Sequence, residues 1–410
     1  MRTRDMYDAI IVGARCAGSP LATLLARKGH RVLLVDKARF PSDKPLSTHS
    51  LLRPGCAVLE RLGLLDSVRA SNCRPINGLV LDHGATRIAA PWPRCSELNV
   101  MYCPRRVVLD NILVQGAVDR GVDFRPGVVV EEFLSDGVQI TGIRCRSREG
   151  GAVWDEHAQI VIGADGLHSK LADTVTAPKF HEVPTQTGVY FSYWSNIPLE
   201  TGSIIHFRHN RLLPAVATND GLTVIMDYFP IAEYERFRGS IEDSFMSDWR
   251  RHVPGFFDLM MQGKREERWV GTNYQPNYWR KSYGPGWVLI GDSALHHDSI
   301  HPSGITYALV DAEFVAAAID DGLTGRVPML DALAAYERAR QARWLPHYRF
   351  ITELSGLKHK PLPPAVTMAG PRPGTNPAHS FLAFFEGHDE GIRWFASKTA
   401  TPNPAQAGLS

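Results

Sequence analysis

The stretch that most constrains this chain lies near its start: Tyr7-Asp8-Ala9-Ile10-Ile11-Val12-Gly13-Ala14-Arg15-Cys16-Ala17-Gly18. It reads as a short buried strand, a tight turn, then a helix from about Gly18 to Arg27 that Gly29 closes. A second apolar strand, Arg31 to Val35, ends on Asp36. This order is the dinucleotide fingerprint in its proper setting. Gly13 lets the strand turn sharply, and Gly18 lets helix and sheet pack closely. A pyrophosphate can rest at the helix N-terminus, where free N–H groups and the helix dipole favour negative charge. Asp36 stands about 20 residues on, where an acid accepts hydrogen bonds from a ribose. One position departs from the pattern. Arg15 takes the place of the middle glycine, where the backbone approaches the pyrophosphate.

The chain has 410 residues, room for roughly two or three domains' worth of core. A formal net charge of +2 gives no footprint for a nucleic-acid partner. No run of about 18 apolar residues exists, so no membrane span is expected. The first five residues lead straight into a strand and leave no room for a signal peptide. Six cysteines are scattered through the first half without a CxxC pair. The expectation is a cytoplasmic protein with reduced thiols, no disulfide framework and no metal site. Cys16 reads as a small packing residue.

After Asp36 the segment Lys37 to His49 is polar and broken by prolines, hence a loop. A helix follows, with Leu52, Val58, Leu59, Leu62 and Leu65 at helical spacing. Residues 74–100 read as a β excursion. Arg106 to about Arg120 is a helix closed by Gly121, and Gly127–Val130 and Val138–Ile143 are strands. From Thr187 to Pro230 longer alternating segments (Val189 to Trp194, Ile204 to Arg208, Leu222 to Tyr228) predict an antiparallel sheet with one covered face. Glu233 to Gln262 reads as helical, and Ile305 to Ile319 as a further helix. Pro361 to Asn376 reads as a surface linker, and Ser380 to Ala396 as a short helix or two.

Three short apolar strands end in glycine and aspartate: at Gly13, at Gly163-Ala164-Asp165-Gly166, and at Gly291-Asp292. Each fits the C-terminal edge of a parallel sheet, where α/β folds bind ligands. Together with Arg106-Val107-Val108-Leu109-Asp110 and Gly163 to Ser169, they resemble the FAD-dependent oxidoreductases of the para-hydroxybenzoate hydroxylase type. That superfamily also holds geranylgeranyl reductases and flavin halogenases. The resemblance covers roughly residues 7–320. Arg15 is shared with one bacterial branch, as are the loops Phe40-Pro41-Ser42-Asp43 and Ser47-Thr48-His49.

The resemblance implies an α/β fold: a Rossmann-like FAD-binding domain, a parallel sheet with helices, plus an antiparallel-sheet substrate domain. The first would be assembled from 1–75, 101–182 and 283–330, the second from 76–100 and 183–282. Residues 331–410 would form a helical C-terminal region. Gly13, Ala17 and Gly18 would hold the pyrophosphate and Asp36 the adenosine ribose, with Lys37 beside it in the cofactor site. Arg106 would reach the pyrophosphate or ribityl region, and the Val130 backbone the adenine. Asp292 would bind the ribityl chain. Ser303, Gly304 and Ile305, opening a helix, would face the flavin edge. Asp165 would lie near the cofactor cleft, in a place linked to pyridine-nucleotide binding. Two motifs depart from the family. Ala172 stands where the second ends in Arg, and Ser299 and His301 stand where the third carries Pro and Gly.

No second nucleotide fingerprint is visible, which suits the single-component type, reduced by a visiting NAD(P)H. In that chemistry reduced flavin and molecular oxygen form a C4a-hydroperoxide that hydroxylates or epoxidises a substrate. The alternating strands carry Tyr190, Tyr193, Trp194, His206, Arg208, Asp227 and Tyr228, of which only half face inward. Tyr193 and Tyr228 are the expected wall for an aromatic or polyketide-like small molecule of secondary metabolism. His301, beside the altered turn, and His206 are the candidate proton-transfer residues. A halogenase would carry a Trp-x-Trp-x-Ile-Pro motif and a tunnel lysine, whereas Tyr193 to Pro198 keeps only Ile197-Pro198. A C=C reductase of the geranylgeranyl type and a non-redox FAD-bound cyclase or scaffold stay open as alternatives. The residues do not state an oligomeric form.

Overall fold

The computed structural model describes residues 6–84, 87–92, 98–358 and 377–393. At its centre a parallel sheet runs in the spatial order Trp287–Leu289, Trp154–Gly163, Tyr7–Val12, Val32–Asp36 and Asp123–Pro126. The three strands that end in glycine and aspartate are therefore neighbours. Continuous apolar runs suit such strands because both faces are covered. Alternation sends Ala9, Ile11 and Leu34 to the face packed by the helices Gly18–Arg27 and Gly304–Leu323. Ile10, Val12 and Leu33 face a second layer, the strand pair Val128–Ser135 and Ile140–Ser147.

A second, largely antiparallel sheet has the order Lys264–Arg265, Thr187–Ser195, Thr223–Pro230, Arg211–Ala217, Ser203–Arg208, Gly78–Asp82 and Arg87–Pro91. The last two strands come from the early β excursion, joined by a parallel pairing of Gly78–Asp82 with Ser203–Arg208. Arg211–Ala217 is a strand that sequence reasoning does not anticipate. It is buried at every position, so it shows no alternation, and Pro214 lies inside it. The helical stretch expected over 233–262 divides into Tyr234–Gly239, Ile241–His252 and Pro254–Met260. Breaks fall at Gly239-Ser240 and before Pro254, which has no N–H to continue a helix. These helices cover the back of the sheet with Phe237, Phe245, Trp249 and Phe257.

Gly304–Leu323 leads into the 26-residue helix Met329–Leu354. Pro377–Phe385 returns to the core, where Phe384 packs on His347 and Phe350. The expected linker Pro361–Asn376 and the end of the chain after Arg393 lie outside the described residues. Among the described residues no helix is long and apolar enough to cross a membrane. The cysteines that are described (16, 56, 73, 103 and 145) are free and buried.

Candidate active site

The turn after the first strand is set by steric exclusion. Gly13 has φ +107°, and a Cβ there would lie 2.2 Å from the Ala164 carbonyl oxygen. At Gly18 a Cβ would lie 1.9 Å from the Gly13 oxygen. Only glycine fits either place without moving backbone. The Ser293 hydroxyl donates to the Gly163 carbonyl at 2.6 Å, tying the second and third strand ends together.

Asp36 does more than wait for a ribose. Its carboxylate accepts the N–H of Ala14 at 2.8 Å and that of Ala38 at 2.7 Å, so it also holds the fingerprint turn. Arg15 has a structural account. Its guanidinium pairs with the buried Asp110, donates to the Ser42 hydroxyl at 2.9 Å, and lies 5.3 Å from the centre of the Phe40 ring. Arg106 donates to the same Asp110 through two bonds of 3.0 Å. One carboxylate thus fixes two cations beside the turn.

The three strand ends open on a cleft enclosing about 2600 Å³, including space open to solvent. Gly13, Ala17, Asp36, Lys37 and Arg106 line it on one side, and Val130 and Asp165 on another. Asp292, Gly304 and Ile305 line the third side. Two expected residues stand behind the wall. Gly18 packs under Gly13, and the buried Ser303 hydroxyl meets His297 Nε2 at 3.0 Å.

The donor set suits FAD. Partial desolvation, then the charges of Arg15, Arg106 and Lys37, push the Lys44 ammonium below its usual value. Cations gathered this way call for an anion such as a pyrophosphate. Asp165 accepts the Lys170 N–H at 2.8 Å through one oxygen, while its other oxygen is buried with no partner among the described residues. Burial pushes that carboxyl upward.

A smaller, mainly apolar pocket, about 540 Å³ including space open to solvent, adjoins the cleft, and Thr48, Ser50, Ser299 and Pro302 line both. Met226 and Tyr228 face it from the antiparallel sheet, and Trp92 and Phe385 close it. Tyr228 donates to the Ser299 carbonyl at 2.8 Å. Tyr193 is on the same face of the sheet but does not reach the pocket. Its hydroxyl pairs with His49 Nε2, and the Arg105 guanidinium lies 4.0 Å from its ring centre.

The two histidines separate. His301 belongs to the cleft wall, but its ring is fully buried, 4.5 Å from Phe385 and 4.8 Å from His347, and neither nitrogen has a partner among the described residues. Burial, then His347 and His297, hold it well below the usual imidazole value, so it is neutral. His206 is corrected by strand parity. Its ring faces Trp249 and Phe256 behind the sheet, with Nδ1 2.6 Å from Asp82, so it is remote from both cavities. Tyr190, Trp194 and Asp227 share that back face.

Sequence reasoning missed Asp110, Lys44 and His49 as parts of this site. Asp110 was legible through its i, i+4 spacing from Arg106. Lys44 and His49 lie in a proline-broken loop whose path no local pattern predicts. His49 is buried at φ +61° and leaves Nδ1 without a partner among the described residues.

A glycine-turned parallel sheet, a cation-lined cleft and an apolar pocket walled by a second sheet define a flavoprotein oxidoreductase. The family described as FAD binding domain matches residues 6–345, and the chain belongs to that family. It is 25% identical over 356 residues to tryptophan 2-halogenase of Chondromyces crocatus, covering 84% of this chain and 67% of that protein. It is 26% identical to 6-methylpretetramide 4-monooxygenase of Streptomyces rimosus, covering 82% and 81%. Its fold matches flavin-dependent brominase Bmp2 with a TM-score of 0.79 at 16% identity, over 96% of this chain and 98% of that one. The protein is an FAD-dependent oxidoreductase of the monooxygenase and halogenase-like kind. FAD is its cofactor, and NAD(P)H is the reductant typical of the family.

Proposed function

We propose that the protein is an NAD(P)H-consuming monooxygenase that hydroxylates or epoxidises an aromatic or polyketide-like small molecule. The observation that carries this reading is the mainly apolar pocket that shares Ser299 and Pro302 with the cofactor cleft. When bound, FAD supplies electron acceptance from the nicotinamide and activation of oxygen. The chain's residues supply the rest. Arg15, Lys37, Lys44 and Arg106 would offset the pyrophosphate charge, and Asp292 would accept from the ribityl hydroxyls. The N–H groups at the start of Gly304–Leu323 favour negative charge at the flavin edge. The hydroxyls of Thr48, Ser50 and Ser299 orient the polar end of the substrate, and the apolar walls exclude water. His301, neutral and beside Pro302, is the residue proposed to take part in proton transfer, as an acceptor that passes the proton on.

Halogenation is the second reading, favoured by the similarity to tryptophan 2-halogenase. Two observations weigh against it. Among the described residues no lysine lines the apolar pocket. Trp194 stacks on Phe245 behind the sheet instead of facing the pocket. Purified protein with NADH or NADPH, candidate aromatics and oxygen-18 gas separates the readings. Labelled product supports oxygenation. Product that forms only with halide, or forms without oxygen, would refute it.

A further inference from the structure

We infer that the apolar pocket selects uncharged, flat molecules, and that the buried pair Arg53–Glu386 at its end is the device that excludes ions. Calling the ligand a substrate rests on the monooxygenase reading; the binding preference does not.

The polar atoms of the pocket are unevenly placed. Thr48, Ser50 and Ser299 line its junction with the cofactor cleft. Away from that edge the lining is mainly apolar (Leu79, Met101, Ile205, Val216 and Met226), and the hydroxyl of Ser203, which also lines it, is committed to the Gly78 carbonyl at 3.0 Å. Trp92 and Phe385 add aromatic faces, which suit a planar ring system. Among the described residues one acidic side chain lines the pocket, that of Glu386.

Glu386 comes from the end of the described chain, 333 positions beyond its partner. Arg53 donates its Nε–H to one carboxylate oxygen at 2.6 Å and pairs through Nη2 with the other. The side chains of Arg53 and Glu386 are 0% and 1% exposed. The guanidinium lies 5.4 Å from the centre of the Trp92 ring. The two charges cancel in a desolvated fork, so neither is offered to a ligand. An anion entering the pocket would meet the Glu386 carboxylate. A cation would find that carboxylate already committed to Arg53. Either would lose its hydration without a counter-charge, whereas a neutral molecule loses only weakly held water. Phe385 and Glu386 are thus specificity-determining residues contributed by the C-terminal segment.

The test uses FAD-loaded protein and three isosteric probes in equilibrium dialysis: 2-naphthol, 2-naphthoate and (naphthalen-2-yl)methylammonium. The wild type is expected to bind 2-naphthol at least about tenfold more tightly than either ion. Val216→Trp, which fills the pocket, should remove 2-naphthol binding while FAD is retained. Glu386→Gln removes the carboxylate that an entering anion would meet and should lift the rejection of 2-naphthoate. Equal affinity for 2-naphthol and 2-naphthoate, or no binding of 2-naphthol, overturns the inference. So does 2-naphthol binding that survives Val216→Trp, or a folded Glu386→Gln protein that still rejects 2-naphthoate. If Glu386→Gln does not fold, the wild-type preference and Val216→Trp decide. None of these readouts uses turnover, so the oxygen-18 result stands or falls separately.

Discussion

The cofactor cleft and the apolar pocket touch at Ser299 and Pro302, yet they are built by opposite rules. The cleft is made at three strand ends where the backbone itself turns, and at Gly13 and Gly18 it tolerates no added atom. The pocket is made by side chains from the second sheet, the early hairpin and the end of the described chain. The difference teaches where each function is vulnerable. Cofactor binding is expected to fail on single backbone-level changes. Substrate choice is expected to drift with side-chain volume and charge.

The largest effect is expected at Gly18. Gly18→Ala places a Cβ 1.9 Å from the Gly13 oxygen and must displace the turn. FAD content of the purified protein, read from visible absorbance against protein absorbance, should fall below about one tenth of wild type. Retention of full FAD would show that the turn yields more easily than its packing implies, and would erase the contrast with the pocket.

Next comes Asp110→Ala, which removes the carboxylate shared by Arg15 and Arg106. Loss of the partner of a buried cation costs about 3–5 kcal/mol. Arg15 is 22% exposed and can recover hydration, which places the cost at the low end. Denaturant unfolding should show the loss. An unchanged midpoint would mean that the two guanidinium groups find other partners.

Buried groups at and behind the cleft wall should make stability depend on pH in two opposed ways. Burial pushes His297 down to about 4 and His347 down to about 3. An unfolded imidazole titrates near 6.5. Below that pH the unfolded chain binds protons that the folded chain refuses, so stability falls from about pH 6.5 to about pH 4 for His297 and to about pH 3 for His347. Asp298 works in the other direction, since burial pushes it up to about 7. The folded chain keeps a proton that the unfolded chain releases, so this group costs stability as pH rises from about 4 to about 7. Thermal melts across this range should flatten on the acid side in His347→Phe and on the neutral side in Asp298→Asn. Identical curves for all three proteins would refute the assignment.

The smallest effect tests the back face. Tyr190→Phe removes the hydroxyl that meets the Tyr234 hydroxyl at 3.2 Å. It should cost no more than about 0.5–1.5 kcal/mol and leave turnover unchanged. A change in turnover or product would mean that the back of the sheet communicates with the pocket.

Much of the cleft was legible because its parts are local. The spacing from Gly13 to Asp36 is one strand, one helix and one strand, and short-range sterics specify it. The pocket was legible only by halves. Alternation marks two faces on strands such as Thr187–Ser195, but nothing local says which face the cleft will take. Tyr228 and His206 therefore read as equal candidates, and packing put one on the pocket wall and the other behind the sheet. Arg211–Ala217 left no periodic trace, because both of its faces are buried.

What the amino-acid order determined alone is the class of fold and its cofactor: glycines at places where a Cβ cannot exist, apolar runs that must be covered on both faces, and acids at strand ends. These are constraints between near neighbours, and a chain displays them before it folds. Only the tertiary structure decided that Arg15 and Arg106 share Asp110, that Lys44 joins the cation set, and that Glu386 meets Arg53 across 333 positions. Such pairings are settled by which surfaces exclude water together. Burial strengthens a charge interaction and makes a lone charge costly, and neither effect is written at any single position.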